Sequence, residues 1–470
     1  MGKRTRLLGT AALLFGASLI LVTGRTGAGP PARHLLVVTL DTTRADRLGF
    51  YGYDRPTSPN LDALAAESVV FEMAIASAAV TPVSHASILT GLWPYHHGLR
   101  VMHGLVANRL ESGTTTLAEV WRKAGGRTAA FVSAYPVGSA FGFQEGFDRF
   151  DEAFAHADGA GVVNDRGTVD TGKSQRRADE TTRAAIEWLR GAASDARPLF
   201  LWVHYFDPHD PQVKLPDEEL MSLLQGELPP ASQDRADLMR AVYDCEVRYM
   251  DRHLGGLFDE YRRLGLWENT IVAVVADHGE GLGDHDWWTH GILYQEQIRV
   301  PMLIHVPGGE RGVRVPSLVR TIDFMPTLLE AAGLARSSWP DMDGESLGEA
   351  MRNGRTLKPL GAYSESVNIL RYGREDTPVR KDEKNDKLYC LIEADQKLIY
   401  HQLHPERSEF YDLRSDPREQ FNLAVLGRSP VMETLLARLE GMDVFSVILP
   451  GMTPTEAERM ERLKSLGYLE

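Results

Sequence analysis

The sequence predicts an α/β fold in which a mostly parallel central sheet is flanked by helices and followed by a small C-terminal α+β subdomain. Short apolar segments alternate with segments of helical periodicity up to about residue 370. These apolar segments are hydrophobic throughout, which indicates strands that are buried on both faces of a parallel sheet. After about residue 370 the pattern changes to short strands in hairpin spacing with one further helix.

The elements of the central sheet are predicted in chain order from these patterns. Buried strands are expected at Leu35–Leu40, Thr128–Val132, Leu199–His204, Ile271–Ala276 and Met302–Val306. Helices are expected at Asn60–Ser68, Val83–Leu89, Thr116–Ala124, Gln175–Arg190, Ile322–Ala332 and, as one long helix or two, Arg235–Leu264. Because ligands of such folds bind beyond the carboxyl ends of the strands, functional residues are expected there.

The C-terminal α+β subdomain is predicted to span residues 371–450. It should contain a hairpin, a third strand and a packing helix, at Lys387–Ile392, Gln396–His401, Glu409–Leu413 and Val431–Leu439. A unit of this size is expected to pack against a larger domain. Residues 451–470 are predicted to form a helical tail.

Residues 1–28 are predicted to be a signal peptide or an N-terminal anchor. Lys3, Arg4 and Arg6 precede the apolar segment Leu7–Thr23, an arrangement typical of exported proteins. The apolar segment is at the short limit for a membrane span, so cleavage and anchoring both remain open. The protein is therefore expected to be periplasmic, secreted or anchored to a membrane by this segment.

Composition excludes one class of partner and leaves the cysteines open. The net charge of −14 argues against nucleic-acid binding, because there is no basic surplus to neutralise phosphates. Cys245 and Cys390 are the only cysteines of the chain. They could pair in an exported protein, or lie apart as two buried thiols.

Acidic residues end two of the predicted strands. Asp41 follows Leu35–Leu40, and Asp277 follows Ile271–Ala276 with His278 directly after it. A single strand-end aspartate is usually a helix cap, but two such acids and an imidazole favour a metal site. Carboxylates with an imidazole suit Zn²⁺ or Mn²⁺, and carboxylates alone suit Ca²⁺ or Mg²⁺.

Thr81 is the candidate nucleophile. It precedes Pro82 at the start of a predicted helix, so it is expected to be the N-cap at the positive end of that helix. A Thr in this position is often no more than a cap, but a neighbouring metal would lower the pKa of its hydroxyl. His85 follows one helical turn later and could bind the nucleophile or an anionic substrate, or be a solvated surface residue.

Further histidines follow the predicted strand ends. His209 and His290 could each protonate a leaving oxygen or contact an anion, although each alone is more often structural. His96 and His97 are interpreted as structural, and His103 as a residue that could line the pocket.

Seven segments in order resemble the sulfatase family of the alkaline phosphatase superfamily, and the likeness covers residues 34–425. They are L-V-V-T-L-D-T-T-R-A-D-R-L-G-F-Y-G-Y (36–53), T-P-V-S-H-A-S-I-L-T-G-L-W-P-Y-H-H-G (81–98), T-A-A-F-V-S (128–133), F-D-P-H-D-P (206–211), D-H-G-E-G-L-G-D-H (277–285), L-Y-Q-E-Q-I-R-V-P (293–301) and E-F-Y-D-L-R-S-D-P-R-E-Q-F-N-L-A (409–424).

The resemblance implies an alkaline phosphatase/sulfatase-like fold with a catalytic domain at residues 34–370. It also implies that a divalent metal (Ca²⁺, Mn²⁺ or Zn²⁺) is bound by Asp41, Asp277 and His278, with the nucleophile Thr81 beside it. His209 matches the active-site histidine of the family. The family's usual sulfate-binding Lys and motif Arg are replaced by His290 and His85.

The sequence departs from the family at the nucleophile. Sulfatases have Cys or Ser in C/S-x-P-S-R, which is oxidised to formylglycine, whereas this chain has Thr81 and replaces the motif Pro with Val83. Thr cannot form that aldehyde, so no formylglycine is expected. Thr42 stands where a second Asp often follows the first.

The predicted function is a metal-dependent sulfatase-like hydrolase that cleaves sulfate or phosphate esters of glycans, lipids or small molecules, with Thr81 as nucleophile. A threonine–sulfate ester lacks the hemiacetal elimination step, which favours phosphoryl chemistry. Two alternatives stay open: a phosphotransferase of the same superfamily, and a non-catalytic protein that uses the sulfatase fold to bind an anionic glycan.

Overall fold

The computed structural model describes residues 34–101, 109–111, 113–153, 175–209, 222–228, 234–354, 360–367, 386–442 and 444–445. The predicted signal peptide or anchor, His103 and the predicted helical tail lie outside these residues. Among the described residues, no helix is both long enough and apolar enough to span a bilayer. Cys245 and Cys390 are buried and are not joined by a disulfide, so the interpretation as separate core residues is confirmed.

The central sheet is mostly parallel, as predicted. Its strands are β1 His34–Leu40, β2 Val69–Ile75, β3 Arg127–Phe131, β4 Arg149–Asp151, β5 Leu199–Tyr205, β6 Thr270–Ala276, β7 Arg299–His305 and β8 Val313–Arg320. They lie in the order β4-β3-β5-β1-β6-β7-β2-β8, and only β7 runs against its neighbours. Every residue of β1, β5 and β6 is buried, because helices cover both faces of the sheet.

The helices form layers on the sheet. They are α1 Pro59–Ala66, α2 Thr81–Thr90, α3 Pro94–His97, α4 Leu117–Lys123, α5 Ala178–Ala192, α6 Arg235–Arg263, α7 Gln295–Ile298, α8 Phe324–Ala331, α9 Gly348–Asn353 and α10 Pro430–Gly441. In one group of helices, α1 and α5 pack against α6, which is one continuous helix. In another group, α4 and α8 pack against α2. Thr116 caps α4 in a capping box with Glu119, which explains why that helix begins where it was predicted.

The strands that the sequence did not predict are short or polar. β4 has three residues, and β2 carries Glu72 and Met73 in its middle. β8 lies at the edge of the sheet, where Pro316 is tolerated and alternate side chains face solvent. Such strands lack the continuous apolar pattern that identified the buried ones.

The small subdomain is a four-stranded antiparallel sheet. Its strands are β9 Ala362–Ser366, β10 Leu388–Glu393, β11 Gln396–His401 and β12 Glu409–Asp412, in the order β12-β11-β10-β9. The predicted hairpin, third strand and helix are present, but β9 precedes the boundary predicted at residue 371. One face packs on α10, and the other packs on apolar residues around Ile292 and Leu293 of the large domain.

Candidate active site

Three neighbouring strands of the central sheet bring the candidate site together. β1 lies between β5 and β6. Leu40 of β1 pairs in register with Tyr205 on one side and with Ala276 on the other. Asp41 and Asp277 are the next residues after β1 and β6, so they leave the same edge of the sheet side by side.

Asp41, Asp277 and His278 form a buried cluster of metal-binding groups. One donor atom of each lies within 4.8 Å of the other two, and all three residues are fully buried. Oδ1 of Asp41 and Oδ2 of Asp277 make no hydrogen bond of good geometry among the described residues. Burial raises the pKa of Asp41 well above its ordinary value, and the Asp277 carboxylate raises it further. Burial also acts to raise the pKa of Asp277, but the imidazoles of His278 and His85 hold that pKa below its ordinary value.

This cluster fits a divalent cation. Ligands that bind one ion at about 2.0–2.6 Å stand up to ~5 Å apart, which matches the spread of these donor atoms. Two buried carboxylates in contact also concentrate negative charge that a cation would neutralise. Carboxylate oxygens with an imidazole suit Zn²⁺ and Mn²⁺, and carboxylates are also ligands for Ca²⁺.

The main chain sets the orientation of the His278 ring. Nδ1 of this ring lies 2.9 Å from the carbonyl oxygen of Gly279, so Nδ1 carries the proton and donates it. Nε2 therefore keeps its lone pair, and it lies 3.3 Å from the hydroxyl oxygen of Thr81. Burial lowers the pKa of His278 to about 4, so the ring is neutral near pH 7 and able to act as a ligand.

Thr81 reaches the cluster from the first turn of α2. The expectation that Thr81 is the N-cap is wrong: Val80 holds that position, Thr81 is the first helical residue, and no side chain caps this helix end. The Thr81 hydroxyl is instead directed at the cluster, with its oxygen 3.3 Å from Nε2 of His278, and its presence acts to lower the pKa of Asp41. The Ser84 hydroxyl donates to the main-chain oxygen of Asp277 at 2.6 Å, which fixes the helix against the loop after β6.

His85 is fully buried, so the alternative of a solvated surface histidine is wrong. Its Nδ1 donates to the main-chain oxygen of Thr81 at 2.9 Å and lies 3.3 Å from Oδ2 of Asp277. The ring packs beside those of Phe143 and Trp202. His85 therefore contacts the backbone of Thr81 and a carboxylate of the cluster, and not the Thr81 hydroxyl.

His204 is a site residue that the sequence placed at a strand end without predicting a chemical role for it. The main-chain N–H of Ser133 donates to Nδ1 of His204 at 3.3 Å, so Nε2 carries the proton of the neutral ring. This Nε2 lies 3.3 Å from Oδ2 of Asp41. Burial lowers the pKa of His204 well below its ordinary value, which keeps the ring neutral. Its position near the end of an apolar strand was the available signal, but its partner could be named only once β5 was known to adjoin β1.

His209 and His290 lie on the outer side of the cluster, where both are partly exposed. The ring centroid of His290 is 4.9 Å from that of His209 and 4.5 Å from that of His278. A carboxylate oxygen of Glu280 lies 3.5 Å from Nδ1 of His290. Burial lowers the pKa of His209, and His290 lowers it further.

The histidines after α2 make structural contacts. Nδ1 of His97 accepts a hydrogen bond from the main-chain N–H of Leu99, and its Nε2 lies 3.1 Å from the Ser87 hydroxyl. His96 pairs with Asp343 at the surface. Neither residue contacts the cluster.

Comparison with known proteins identifies the family. The sequence model of the family described as Sulfatase matches residues 33–334, the part that contains the central sheet and every residue of the cluster. The chain belongs to the sulfatase family. The model described as N-sulphoglucosamine sulphohydrolase, C-terminal, matches residues 283–443 of this sulfatase, which include most of the small subdomain.

Two relatives are similar in sequence to this sulfatase along most of its length. It is 29% identical over 432 residues to the ulvan-active sulfatase of Formosa agariphila, covering 87% of this chain and 80% of that protein. It is 26% identical over 453 residues to the arylsulfatase of Clostridium perfringens, covering 83% and 90%.

Solved structures share the fold. A 2-O GAG sulfatase superposes on this sulfatase with a TM-score of 0.65 at 18% identity, over 94% of each chain. The phosphonate monoester hydrolase of Agrobacterium radiobacter superposes with a TM-score of 0.63 at 20% identity, over 93% and 96%. The protein is thus a hydrolase of the sulfatase family, in the sulfuric ester hydrolase class.

Proposed function

We propose that this sulfatase is a metal-dependent hydrolase that cleaves sulfate or phosphate esters with Thr81 as its nucleophile. The observation that carries the proposal is the position of the Thr81 hydroxyl, whose oxygen lies 3.3 Å from Nε2 of His278 in the cluster. Asp41, Asp277, His278 and the Thr81 oxygen would hold Zn²⁺, Mn²⁺ or Ca²⁺. No formylglycine takes part, because Thr cannot be oxidised to that aldehyde.

The reaction has two steps. A divalent cation supplies positive charge that lowers the pKa of a coordinated hydroxyl and offsets charge on the transferring group. In the first step the Thr81 hydroxyl loses its proton to solvent, its Oγ1 attacks sulfur or phosphorus, and the bond to the alcohol oxygen breaks as that oxygen takes a proton. In the second step water hydrolyses the threonine ester, which releases sulfate or phosphate and restores the hydroxyl.

The leaving alcohol oxygen needs a proton, and His290 is the better of two candidate donors. The Glu280 carboxylate lies 3.5 Å from Nδ1 of His290 and orients this ring. His209 is adjacent, but burial lowers its pKa and keeps it neutral. His209 is then a hydrogen-bond donor to the substrate anion. His85, which touches Asp277 and the Thr81 backbone, orients both and does not transfer a proton.

The choice between sulfate and phosphate rests on two opposed arguments. The relatives named above are sulfatases, and the name of one refers to ulvan, which supports a sulfated glycan as substrate. The chemistry of threonine favours phosphate, because its sulfate ester has no elimination route and must be hydrolysed directly. A phosphotransferase would differ only in passing the group from Thr81 to an alcohol.

The test is an activity panel with a matched pair of variants. Metal-stripped protein is supplied with Ca²⁺, Mn²⁺ or Zn²⁺ and offered an aryl sulfate, an aryl phosphate and an aryl phosphodiester, with and without glycerol. Thr81→Ala should lower kcat by about 10⁴-fold or more, in line with the loss of other nucleophiles. Thr90→Ala should change kcat less than about threefold, because the Thr90 hydroxyl donates to Ala86 and accepts from the main-chain N–H of Leu92, both at its own end of the helix.

Each outcome of this panel decides a part of the proposal. Turnover that survives Thr81→Ala would remove Thr81 as the nucleophile. Glycerol phosphate or glycerol sulfate as the main product would favour the transferase. A protein that binds the esters with any of the metals but never cleaves them would be the non-catalytic alternative.

We also propose that the protein acts outside the cytoplasm. The basic residues and the apolar segment within residues 1–28 support export. The exported protein would be periplasmic, secreted or anchored to a membrane by this segment. N-terminal sequencing of protein from the native host should find either a new N-terminus after this segment or the intact segment in the membrane fraction. Intact protein in the cytosol would contradict export.

A further inference from the structure

Thr42, directly after Asp41, has an unusual main-chain conformation. Its φ is 47°, in the left-handed region that a β-branched residue rarely adopts. Thr42 is fully buried, and its N–H donates to Oδ1 of Asp277 at 3.1 Å. The left-handed turn therefore directs a main-chain donor at the carboxylate that stands beside Asp41.

The buried side chain of Tyr243 stabilises this turn through its hydroxyl group. The Tyr243 hydroxyl donates to the main-chain oxygen of Thr42 at 2.7 Å and accepts from the main-chain N–H of Arg44 at 2.9 Å. Tyr243 lies on α6 and is fully buried. A single oxygen thus fixes main-chain groups on both sides of Thr43.

The same turn is tied to the loop that carries His278. The Arg44 guanidinium donates to the main-chain oxygens of Glu280 and Gly281 at 3.1 Å each, and it pairs with Asp284 at 2.8 Å. The arginine is itself buried, with 4% of its side chain exposed. The hydrogen bonds therefore run from α6 through Thr42 and Arg44 to the residues on either side of the cluster.

We propose that Tyr243 is a positioning residue for the metal site: it holds Thr42 in its left-handed conformation so that Asp41 and Asp277 converge. Tyr243 touches neither the candidate nucleophile nor the donor atoms, and it acts through the main chain. The inference rests on the proposed function, since it assumes that the cluster binds a metal. Outer contacts of this kind orient the ligands, and their loss commonly weakens metal binding 10–100-fold.

The chain supplies a matched control for this residue. Tyr261 lies on the same helix and is also fully buried, but its hydroxyl has no hydrogen-bond partner among the described residues. Tyr243→Phe and Tyr261→Phe each remove one buried oxygen from α6. They differ in whether that oxygen holds the turn after Asp41.

The experiment titrates Mn²⁺ or Zn²⁺ into the metal-stripped full-length chain by calorimetry, with thermal melting of the metal-free forms alongside. Tyr243→Phe should weaken metal binding by about 10–100-fold. Tyr261→Phe should keep the wild-type dissociation constant within about twofold. Wild-type affinity in Tyr243→Phe, even with a lower melting temperature, would make the tyrosine merely structural and overturn the inference. Absence of metal binding by the wild type would overturn the proposed metal site itself.

A second comparison keeps the test decisive if Tyr243→Phe folds poorly. Glycine adopts the left-handed region without strain. In the Thr42→Gly variant, the turn after Asp41 should therefore keep its conformation with less help from the Tyr243 hydroxyl. In the Thr42→Gly background, Tyr243→Phe should therefore cost less metal affinity than it does in the wild type. An equal or larger loss would show that the hydroxyl does not act through the strained turn.

Discussion

Asp41 shows how its surroundings set the chemistry of one side chain. The Asp41 carboxyl is buried away from water, and the carboxylate of Asp277 lies beside it. Nε2 of His204 donates a hydrogen bond to Oδ2 of Asp41. A carboxyl whose pKa is raised in the folded protein costs stability once it ionises, because the unfolded chain ionises at lower pH. The metal-free protein should therefore be less stable at neutral pH than the same protein with a cation bound.

This argument predicts the behaviour of Asp41→Asn. The neutral amide removes the repulsion from Asp277, so the metal-free variant should melt at a higher temperature than the metal-free wild type. The added stability that a metal gives, about 2.7 kcal/mol at a concentration 100 times the dissociation constant, should disappear. Melting curves with and without Mn²⁺ or Zn²⁺ measure both effects.

The control for this prediction is Asp259→Asn, which changes an exposed carboxylate of α6 whose ion-pair partner among the described residues is Arg262. It should leave both the metal-free melting temperature and the metal-induced shift close to those of the wild type. A metal-induced shift that survives in Asp41→Asn would contradict the assignment of Asp41 as a ligand.

At the scale of elements, the loop between β6 and α7 joins the candidate site to the small subdomain. It begins with Asp277 and His278 and then carries His285, whose ring stacks on Tyr294 at 3.8 Å. Nδ1 of His285 lies 2.8 Å from a carboxylate oxygen of Glu296, and Nε2 lies 3.2 Å from the main-chain oxygen of Glu419. Both ring nitrogens face acceptors, so the ring is protonated.

The charge of His285 predicts a pH dependence of stability. Burial lowers the pKa of His285, but the hydrogen bond to Glu296 outweighs burial and raises the pKa to about 9. The unfolded value is about 6.5, so the contribution is complete below about pH 6.5 and is lost as the pH rises to about 9. Because the ring is partly exposed, we expect about 1–2 kcal/mol rather than the full value of the shift.

The measurement is the free energy of unfolding at several pH values for the wild type and for His285→Gln. The difference between them should shrink steadily from pH 6.5 to pH 9. His404→Gln, at an exposed histidine beside Glu406, is the control and should track the wild type throughout. A constant difference between the wild type and His285→Gln would show that the ring is neutral in the folded protein.

At the scale of the whole molecule, a buried ion pair of the small subdomain lies at its contact with the large domain. Lys397 of β11 and Glu419 lie 2.5 Å apart, and both side chains are fully buried. The Glu419 carboxylate also accepts the main-chain N–H of Gln295, the first residue of α7 in the large domain, at 2.6 Å. One buried carboxylate of the small subdomain thus contacts the first residue of α7, beside the apolar contacts between the two domains.

Removing one partner of this pair should be costly. Lys397→Met leaves Glu419 buried without its cation and should lower the free energy of unfolding by about 3–5 kcal/mol. The double variant Lys397→Met/Glu419→Gln removes the stranded charge and keeps an acceptor for Gln295, so it should recover part of the loss. Urea unfolding followed by fluorescence measures both. A double variant less stable than Lys397→Met would contradict this account.

The fold could be predicted further than the site. Continuous apolar segments such as Leu35–Leu40 indicate burial without any knowledge of the rest of the fold. The central strands, the long helix and the C-terminal hairpin could therefore be predicted from local sequence patterns. β8 and β9 were not predicted, because β8 is half-exposed and β9 carries the polar residues Ser364, Glu365 and Ser366. The predicted nucleophile and metal ligands were brought together as the family resemblance implied, although their roles remain proposals.

The residues that sequence reasoning missed act across long separations. The hydrogen bond from Tyr243 to Thr42 joins residues 201 positions apart, and that between His204 and Asp41 joins residues 163 apart. Nothing near Tyr243 in the sequence marks it as different from Tyr261. Only the strand order and the packing of α6 reveal these partners, because the side-chain types alone do not specify them.

The central claim is that the Thr81 oxygen attacks the substrate beside a metal held by Asp41, Asp277 and His278. The most direct measurement is rapid acid quenching during turnover of the metal-loaded protein, followed by mass spectrometry of its peptides. We predict one sulfuryl or phosphoryl group on Thr81, lost when the metal is removed and absent in Thr81→Ala. A modified group on any other residue, or full turnover with no modified peptide at any time, would contradict the account.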